Sequence, residues 1–335
     1  MNRLTLTVLL SITALAGCFS DLPPSSETND GETESSSGDG DGDGDSGDGD
    51  GEPGDGDGEP GDGDGDGEPG DGDGEPQCEP GGCPDGEYCV AGQCESPPEG
   101  MVAIPYGPFW MGCNEEKDPD CFPNEYPYHQ VTLSAYAIDR TEVTAAAYDE
   151  CVNDGECTPP HTNTPNDNPC ETSMGTEPVV CVDWFQARTY CEWQGKLLPT
   201  EAQWEKAARG DDGRIFPWGD EAPTCNHAHF QGCDSLGLRF LNPVGSLPAG
   251  ASPYGALDMA GNALEWCADW YSSSYYLESP DTDPPGPANG TIRNSRGGSY
   301  GLAAVGQRVS QRFGFFEVPP TSRDRYTGFR CAYIP

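Results

Sequence analysis

Residues 97–335 predict an α+β domain with much irregular backbone, rich in disulfides. Three observations carry this. Two segments combine helix-start chemistry with helical spacing of apolar residues. Short apolar runs alternate as strands do, between loops rich in Pro and Gly. And 16 cysteines occur in 335 residues, a usage that suits an oxidising compartment rather than a cytosol.

In chain order, Val131 to Ile138 alternates like a strand, and Glu142 to Val152 reads as a helix. Asp183 and Gln186 form a capping-box pattern ahead of Trp184-Phe185-x-Ala187-x-x-Tyr190-Cys191, which Gly195 ends. Thr200 and Gln203 repeat the pattern ahead of Trp204 and Ala207-Ala208, ended by Gly210. In such a box the first side chain accepts from an otherwise orphaned backbone N–H, and the second reaches back to the cap. Trp110, Trp184, Trp193, Trp204, Trp218 and Trp266, six of the chain's seven tryptophans, are candidate anchors in this region, and its length suffices for one large core.

The amino-terminal third is a different material. Arg3 precedes an apolar stretch, Leu4 to Leu15, too short for the ~20 residues a bilayer span needs. It runs into Leu15-Ala16-Gly17-Cys18, which resembles the lipobox of bacterial lipoproteins. The resemblance implies a signal peptide over 1–18 and lipidation of Cys18, hence a membrane partner through the anchor and a place in the cell envelope. Phe19, where an Asp would favour inner-membrane retention, points to the outer membrane. Residues 19–77 are Gly-Asp repeats with Glu-Pro interruptions; 21–77 carry 22 acidic side chains and no Lys or Arg, about half of the net charge of −42. Such a segment cannot bury enough apolar surface to fold, and as a coil it spans roughly 40 Å. Asp62, Asp64, Asp66 and Gly67 match the start of a calcium loop, but Asp73 stands where Glu is required and no helices flank it; a solvated spacer is the better reading. The acidic balance excludes nucleic acid as a partner. Cys78, Cys83, Cys89 and Cys94, in a small segment over 78–96, lack the tight pairs of a zinc site and predict two disulfides in one of three pairings.

The globular region carries nine motifs in order. Met101-Val102-x-Ile104-Pro105-x-Gly107-x-Phe109-x-Met111-Gly112 opens it. Pro127-x-His129-x-Val131, Ile138-Asp139-x-x-Glu142-Val143-Thr144 and Pro178-Val179-x-x-Val182-x-Trp184 follow. Then come Gly195-Lys196-x-Leu198-Pro199-Thr200-Glu201-Ala202-x-Trp204-Glu205, Phe216-Pro217-Trp218-Gly219 and Asp258-Met259-x-Gly261-Asn262-x-x-Glu265-Trp266. Arg296-Gly297-Gly298-Ser299-Tyr300 and Gly328-Phe329-Arg330-Cys331 complete the set. Together they resemble the formylglycine-generating, or sulfatase-modifying factor, family over about 235 residues, which implies a compact irregular fold related to C-type lectins.

What the resemblance implies about chemistry is divided. In the active enzymes two cysteines after the Arg-Gly-Gly-Ser-aromatic run bind Cu(I), for which thiolates are the selective soft ligands, and oxidise a substrate cysteine. Those positions fall on Leu302 and Gln307, and no cysteine occurs between Cys267 and Cys331. A sister branch uses iron on three histidines; here there are four, His129, His161, His227 and His229, with a His-x-His spacing only in the last two. A structural calcium is implied on the carboxylates of Asp258 and Glu265 and the carbonyls of Gly261 and Ala263, an all-oxygen set suited to a hard ion. A second is implied on Asn226, the carbonyl of His227 and Asp234, whose spacing departs from the pattern.

The family bridge implied here is Cys191 with Cys331; Cys113 with Cys121, Cys151 with Cys157 and Cys225 with Cys233 are close pairs enclosing short loops, and Cys170, Cys181 and Cys267 leave one cysteine over. The family's peptide groove maps to Arg296, Ser299, Tyr300 and Arg330. Arg308, Arg312, Arg323 and Arg325 are concentrated in a chain with 16 basic residues, and either an anionic ligand or the domain's own carboxylates would account for them. The reading is an anchored, exported lipoprotein whose domain is a non-catalytic binding or scaffold module with calcium and without copper, its ligand a peptide or envelope component. The alternative is a metal-dependent oxidoreductase that makes formylglycine or runs a non-haem iron reaction.

Overall fold

The structure is a computed structural model that describes residue 78 and residues 82–84, 86–161, 175–233, 241–313 and 319–335. The chain divides into two units, Met1–Pro69 and Gly70–Pro335, and every described residue lies in the second. Cys18, the calcium-loop-like Asp62, Asp64, Asp66 and Gly67, Cys170 and Asp234 lie outside the described residues.

Strands β1 (Tyr88–Val90) and β2 (Gln93–Glu95) form a hairpin closed by Ala91-Gly92. Both turn residues have positive φ, 48° and 82°, the twist a two-residue hairpin loop requires. Disulfides Cys78–Cys89 and Cys83–Cys94 staple it, which selects one of the three pairings. The hairpin packs on the strands that follow it, with Tyr88 buried in one apolar cluster with Met101, Ala103 and Ala137.

Strands β3 (Met101–Ile104), β4 (Gly107–Met111), β5 (His129–Leu133) and β6 (Tyr136–Asp139) follow. The alternating run Val131 to Ile138 is thus split at Ser134-Ala135, because β5 pairs with β4 while β6 pairs with β3. Helix α1 (Ala145–Asn153) begins three residues later than its sequence reading. Thr144 caps it, accepting from Ala147 N at 3.2 Å, and Val143 is held in extended backbone contact with Phe329 and Val179. Helices α2 (Trp184–Trp193) and α3 (Glu201–Arg209) start where their capping boxes place them. Gln186 N donates to Asp183 at 2.9 Å and Gln203 N to Thr200 at 3.2 Å, each Gln reciprocating to its cap.

Strands β7 (Leu264–Trp270), β8 (Arg293–Arg296), β9 (Thr327–Gly328) and β10 (Ala332–Tyr333) complete the fold. They make two three-stranded sheets, β10-β6-β3 and β8-β7-β9, in which β7 and β9 run parallel. One core lies where α3 meets β4 and β5, around Trp204, Phe109 and Val131; a second lies under α1 and α2, around Tyr148, Tyr190, Trp266 and Phe329. Every buried indole finds an acceptor, as desolvated N–H groups must: Trp184 on Cys267 O, Trp204 on Glu265 and Trp266 on Val182 O.

The disulfides Cys113–Cys121, Cys151–Cys157, Cys225–Cys233 and Cys191–Cys331 are formed. Cys181 is also disulfide-bonded, and Cys267, buried, is the free cysteine among the described residues.

Candidate functional site

The site is built on a lattice of buried ion pairs. Helix α3 presents Glu201 and Glu205, four residues apart and so on one face. Arg312 grips both oxygens of Glu201 at 2.6 and 2.9 Å. Arg296, at the end of β8, bonds Glu205 and also the carbonyls of Val309, Ser310 and Gln311. Arg308 lies on Glu125 at 2.8 Å through each of two nitrogens, and on Asp118 at 2.9 Å. Arg323 meets Asp183 at 2.6 Å, and Arg325 donates to the Tyr326 hydroxyl at 3.0 Å. The concentrated arginines therefore serve the domain's own acceptors. Arg296 and Arg330 are wholly buried and offer no groove surface; of the residues mapped to the groove, Ser299 borders a cavity and Tyr300 is buried beside it.

That cavity begins where the backbone turns after β8. Gly297 and Gly298 take φ of 95° and 73°, and a Cβ on Gly298 would collide with the Gln307 amide, so this turn needs glycine on both counts. Gln307 is fully buried, and its Nε2 lies 3.2–3.3 Å from the carbonyls of Ser299, Leu302 and Ala303. It ties the turn together. Leu302 instead forms a wall of a cavity of about 340 Å³, with Leu264, Phe313 and Tyr326. The polar part of the lining comes from Ser295, Ser299, Thr327 and Asp324. Asp324 accepts from Tyr326 N at 2.7 Å and from the Thr327 hydroxyl at 3.2 Å. Burial pushes its carboxyl above the usual range. Leu302 and Gln307, the positions on which the motif resemblance places the family's thiols, thus form an apolar wall and a backbone clamp. Sequence reading did not single out Asp324, whose place in the lining beside Leu264 of β7 and Thr327 of β9 is set by the fold.

The residues implied as calcium ligands gather in a turn where Asp258, Gly261 and Asn262 all have positive φ, 56°, 83° and 57°. Asp258 accepts from Gly245 N at 2.6 Å. Glu142, from the Asp-x-x-Glu-Val-Thr motif, joins them: its Oε1 accepts from Ala263 N at 3.3 Å, and its Oε2 is buried with no hydrogen-bond partner. Burial, then repulsion from Asp258 and Glu265, pushes Glu142 well above the normal carboxyl range, and burial raises Asp258 too. Arg330 is the cation facing them, and it is committed to Glu265 at 2.6 and 2.7 Å. Ionised together, the three buried carboxyl groups would leave two negative charges unbalanced by the one arginine; with Glu142 and Asp258 both raised, a proton held between them relieves that repulsion until a cation does. This donor set fits a divalent hard cation, with Glu142 an acidic member that the sequence reading assigned to a helix.

The histidines do not converge. The His227 ring stacks on Trp218 at 4.8 Å, while His229 is buried and faces Tyr300 at 6.2 Å. His129 lies 2.8 Å from Pro127 O, and His161 is exposed. The His227 carbonyl packs directly on Gly250, and Asn226 is exposed. Among the described residues, the triplets of His, Cys, Asp or Glu side chains close enough to share one ion are disulfide sulfurs, joined in one case by Asp118, whose carboxylate is on Arg308. Glu142, Asp258 and Glu265 do not form such a triplet, so an ion there would draw on backbone carbonyls as well.

Comparison with known proteins decides the family. A profile of the sulfatase-modifying factor enzyme 1-like domain matches residues 88–334. The chain belongs to that family. This family member is 34% identical over 302 residues to the formylglycine-generating enzyme of Thermomonospora curvata, covering 71% of this chain and 94% of that one. It is 32% identical to the hercynine oxygenase of Mycolicibacterium smegmatis, over 69% of this chain but only 60% of the oxygenase. Among solved structures it resembles PvdO from Pseudomonas aeruginosa, with TM-score 0.61 and 29% identity over 70% of this chain and 94% of PvdO. The match starts at Tyr88, inside the stapled hairpin, in keeping with the packing of that hairpin onto the domain.

Proposed function

We propose that this chain is an exported lipoprotein, anchored through Cys18 to the outer membrane of a bacterial envelope, whose family domain is a calcium-stabilised binding module rather than a protein-cysteine oxidase. One observation carries the non-catalytic reading: Leu302 and Gln307 occupy the copper-thiol positions and each has another task, as cavity wall and as clamp of the 299–303 turn. Cu(I) chemistry of the family type needs two thiolates there. The free thiol among the described residues, Cys267, is fully buried and is pushed well above the ordinary range by desolvation, so it is a poor nucleophile and ligand. The calcium reading rests on Glu142, Asp258 and the backbone of Gly261 and Ala263; the anchor and the tether rest on the sequence alone.

The test is a pair of proteins, the wild type and the double variant L302C/Q307C. Each is reconstituted with Cu(I) and incubated with oxygen and a cysteine-containing sulfatase peptide, and the peptide is read by mass spectrometry. No formylglycine from the wild type, with Cu(I) bound by the double variant alone, supports the reading. Copper- or iron-dependent conversion by the wild type would install the oxidoreductase alternative.

A further inference from the structure

We propose that the cavity walled by Leu264, Leu302, Phe313 and Tyr326 binds a small organic cation, a flat apolar body carrying an ammonium group, with Asp324 as the counter-ion. The inference rests on the reading of this domain as a binding module and names the chemistry of what it binds.

Size comes first. Drug-sized ligands occupy cavities of about 300–1,000 Å³, and benzene fills one of about 150 Å³. A cavity of about 340 Å³ therefore takes a body of one or two rings. The apolar walls supply burial, worth roughly 25 cal/mol per Å² of ligand surface. Leu302 is central to this: where a thiolate would carry charge, a branched hydrocarbon faces the ligand.

Charge comes second. Among the described residues lining the cavity, none is cationic. The flanking arginines are engaged, Arg323 on Asp183 and Arg325 on the Tyr326 hydroxyl. Asp324 is partly open, and its oxygens accept from the Tyr326 backbone and from both the hydroxyl and the backbone of Thr327. A carboxylate has about four acceptor sites, so capacity remains for a ligand donor. Nothing cationic in the protein lowers its pKa; desolvation raises it. An ammonium placed in the cavity would supply the missing counter-charge, in a setting of low dielectric where a charge-assisted hydrogen bond is about twice as strong as a neutral one. A carboxylate or phosphate ligand would meet Asp324 with like charge and without a partner.

The experiment is calorimetric titration of the full chain with three ligands that share one ring: tryptamine, 3-ethylindole and indole-3-propionate. The expected result is tryptamine binding about tenfold or more tighter than 3-ethylindole, with no binding of the carboxylate. Asp324→Asn should bring tryptamine down to the level of 3-ethylindole and leave the latter unchanged. Leu302→Trp, which fills the cavity, should abolish both. Equal affinity for the amine and the neutral ring would overturn the cation assignment while leaving a ligand cavity in place. Preference for the carboxylate would also overturn it. Absence of binding by all three would overturn both the cation assignment and the choice of this cavity as the binding site.

Discussion

Arg330 holds both oxygens of Glu265, with Nε 2.6 Å from Oε2 and Nη2 2.7 Å from Oε1, and neither side chain touches solvent. The pair joins β7 to the segment leading into β10 across 65 residues of sequence. Removing one member leaves the other charged, buried and unpaired, which costs about 3–5 kcal/mol. Glu265→Gln should therefore lower unfolding free energy in urea by that amount, and Glu265→Gln with Arg330→Met should recover part of it. A single-variant loss below about 1 kcal/mol would show that the pair is not desolvated as described.

Calcium should stabilise the protein through Glu142. Melting temperature measured in excess calcium, less that in chelator, is expected to be positive for the wild type, since a ligand that binds only the folded state adds RT ln(1 + [L]/Kd). Glu142→Gln removes one ionisable carboxyl and should shrink the increment while raising stability in chelator, because the unfolded chain then no longer gains by releasing a proton that burial forces the folded state to hold. An unchanged increment would remove Glu142 from the ion's surroundings.

The Cys191–Cys331 disulfide closes 140 residues and Cys151–Cys157 closes six. By chain entropy alone the long closure contributes about 5 kcal/mol and the short one about half as much. Replacing Cys191 and Cys331 by Ser should lower the melting point more than replacing Cys151 and Cys157. The reverse order in thermal scans would mean that native packing around each bridge, not loop closure, sets its worth.

Desolvation, and then the charge of Glu201, pushes Asp269 up to about 7. In the unfolded chain it titrates near 4. Between about pH 4 and pH 7 the folded protein therefore holds a proton that the unfolded chain has released. The stability this group supports is full below that window, declines as pH rises through it, and stays level above. Asp269→Asn has no such titration, so its melting point relative to the wild type should climb between pH 5 and pH 8. A difference that stays flat across that range would contradict the assignment.

Local features were legible in the sequence because their partners are neighbours. Asp183 with Gln186 and Thr200 with Gln203 are three residues apart, and both helices start there. The short-loop disulfides follow the same logic. Glu142 misled because its helix-forming side chain precedes Thr144, the true cap, and is drawn instead to Ala263, 121 residues away. The arginines could not be assigned from sequence: Arg308 meets Glu125 at a separation of 183 and Arg312 meets Glu201 at 111. The cavity was invisible for the same reason, since its walls come from β7, β9 and the turn after β8. Leu302 and Gln307 were found by motif counting, but their tasks needed the fold.

The stapled hairpin has a mechanical meaning. A pull from the amino-terminal side reaches Cys78, crosses its sulfur bridge into Cys89 of β1, and runs through the hairpin into Cys94 of β2, which the second bridge ties back to Cys83. The segment between Cys78 and Cys89 is bypassed, so it releases no length before force arrives at Met101, the first residue of β3. With Tyr88 seated against Met101 and Ala137, traction is delivered to the sheet as a stiff lever rather than an unravelling thread.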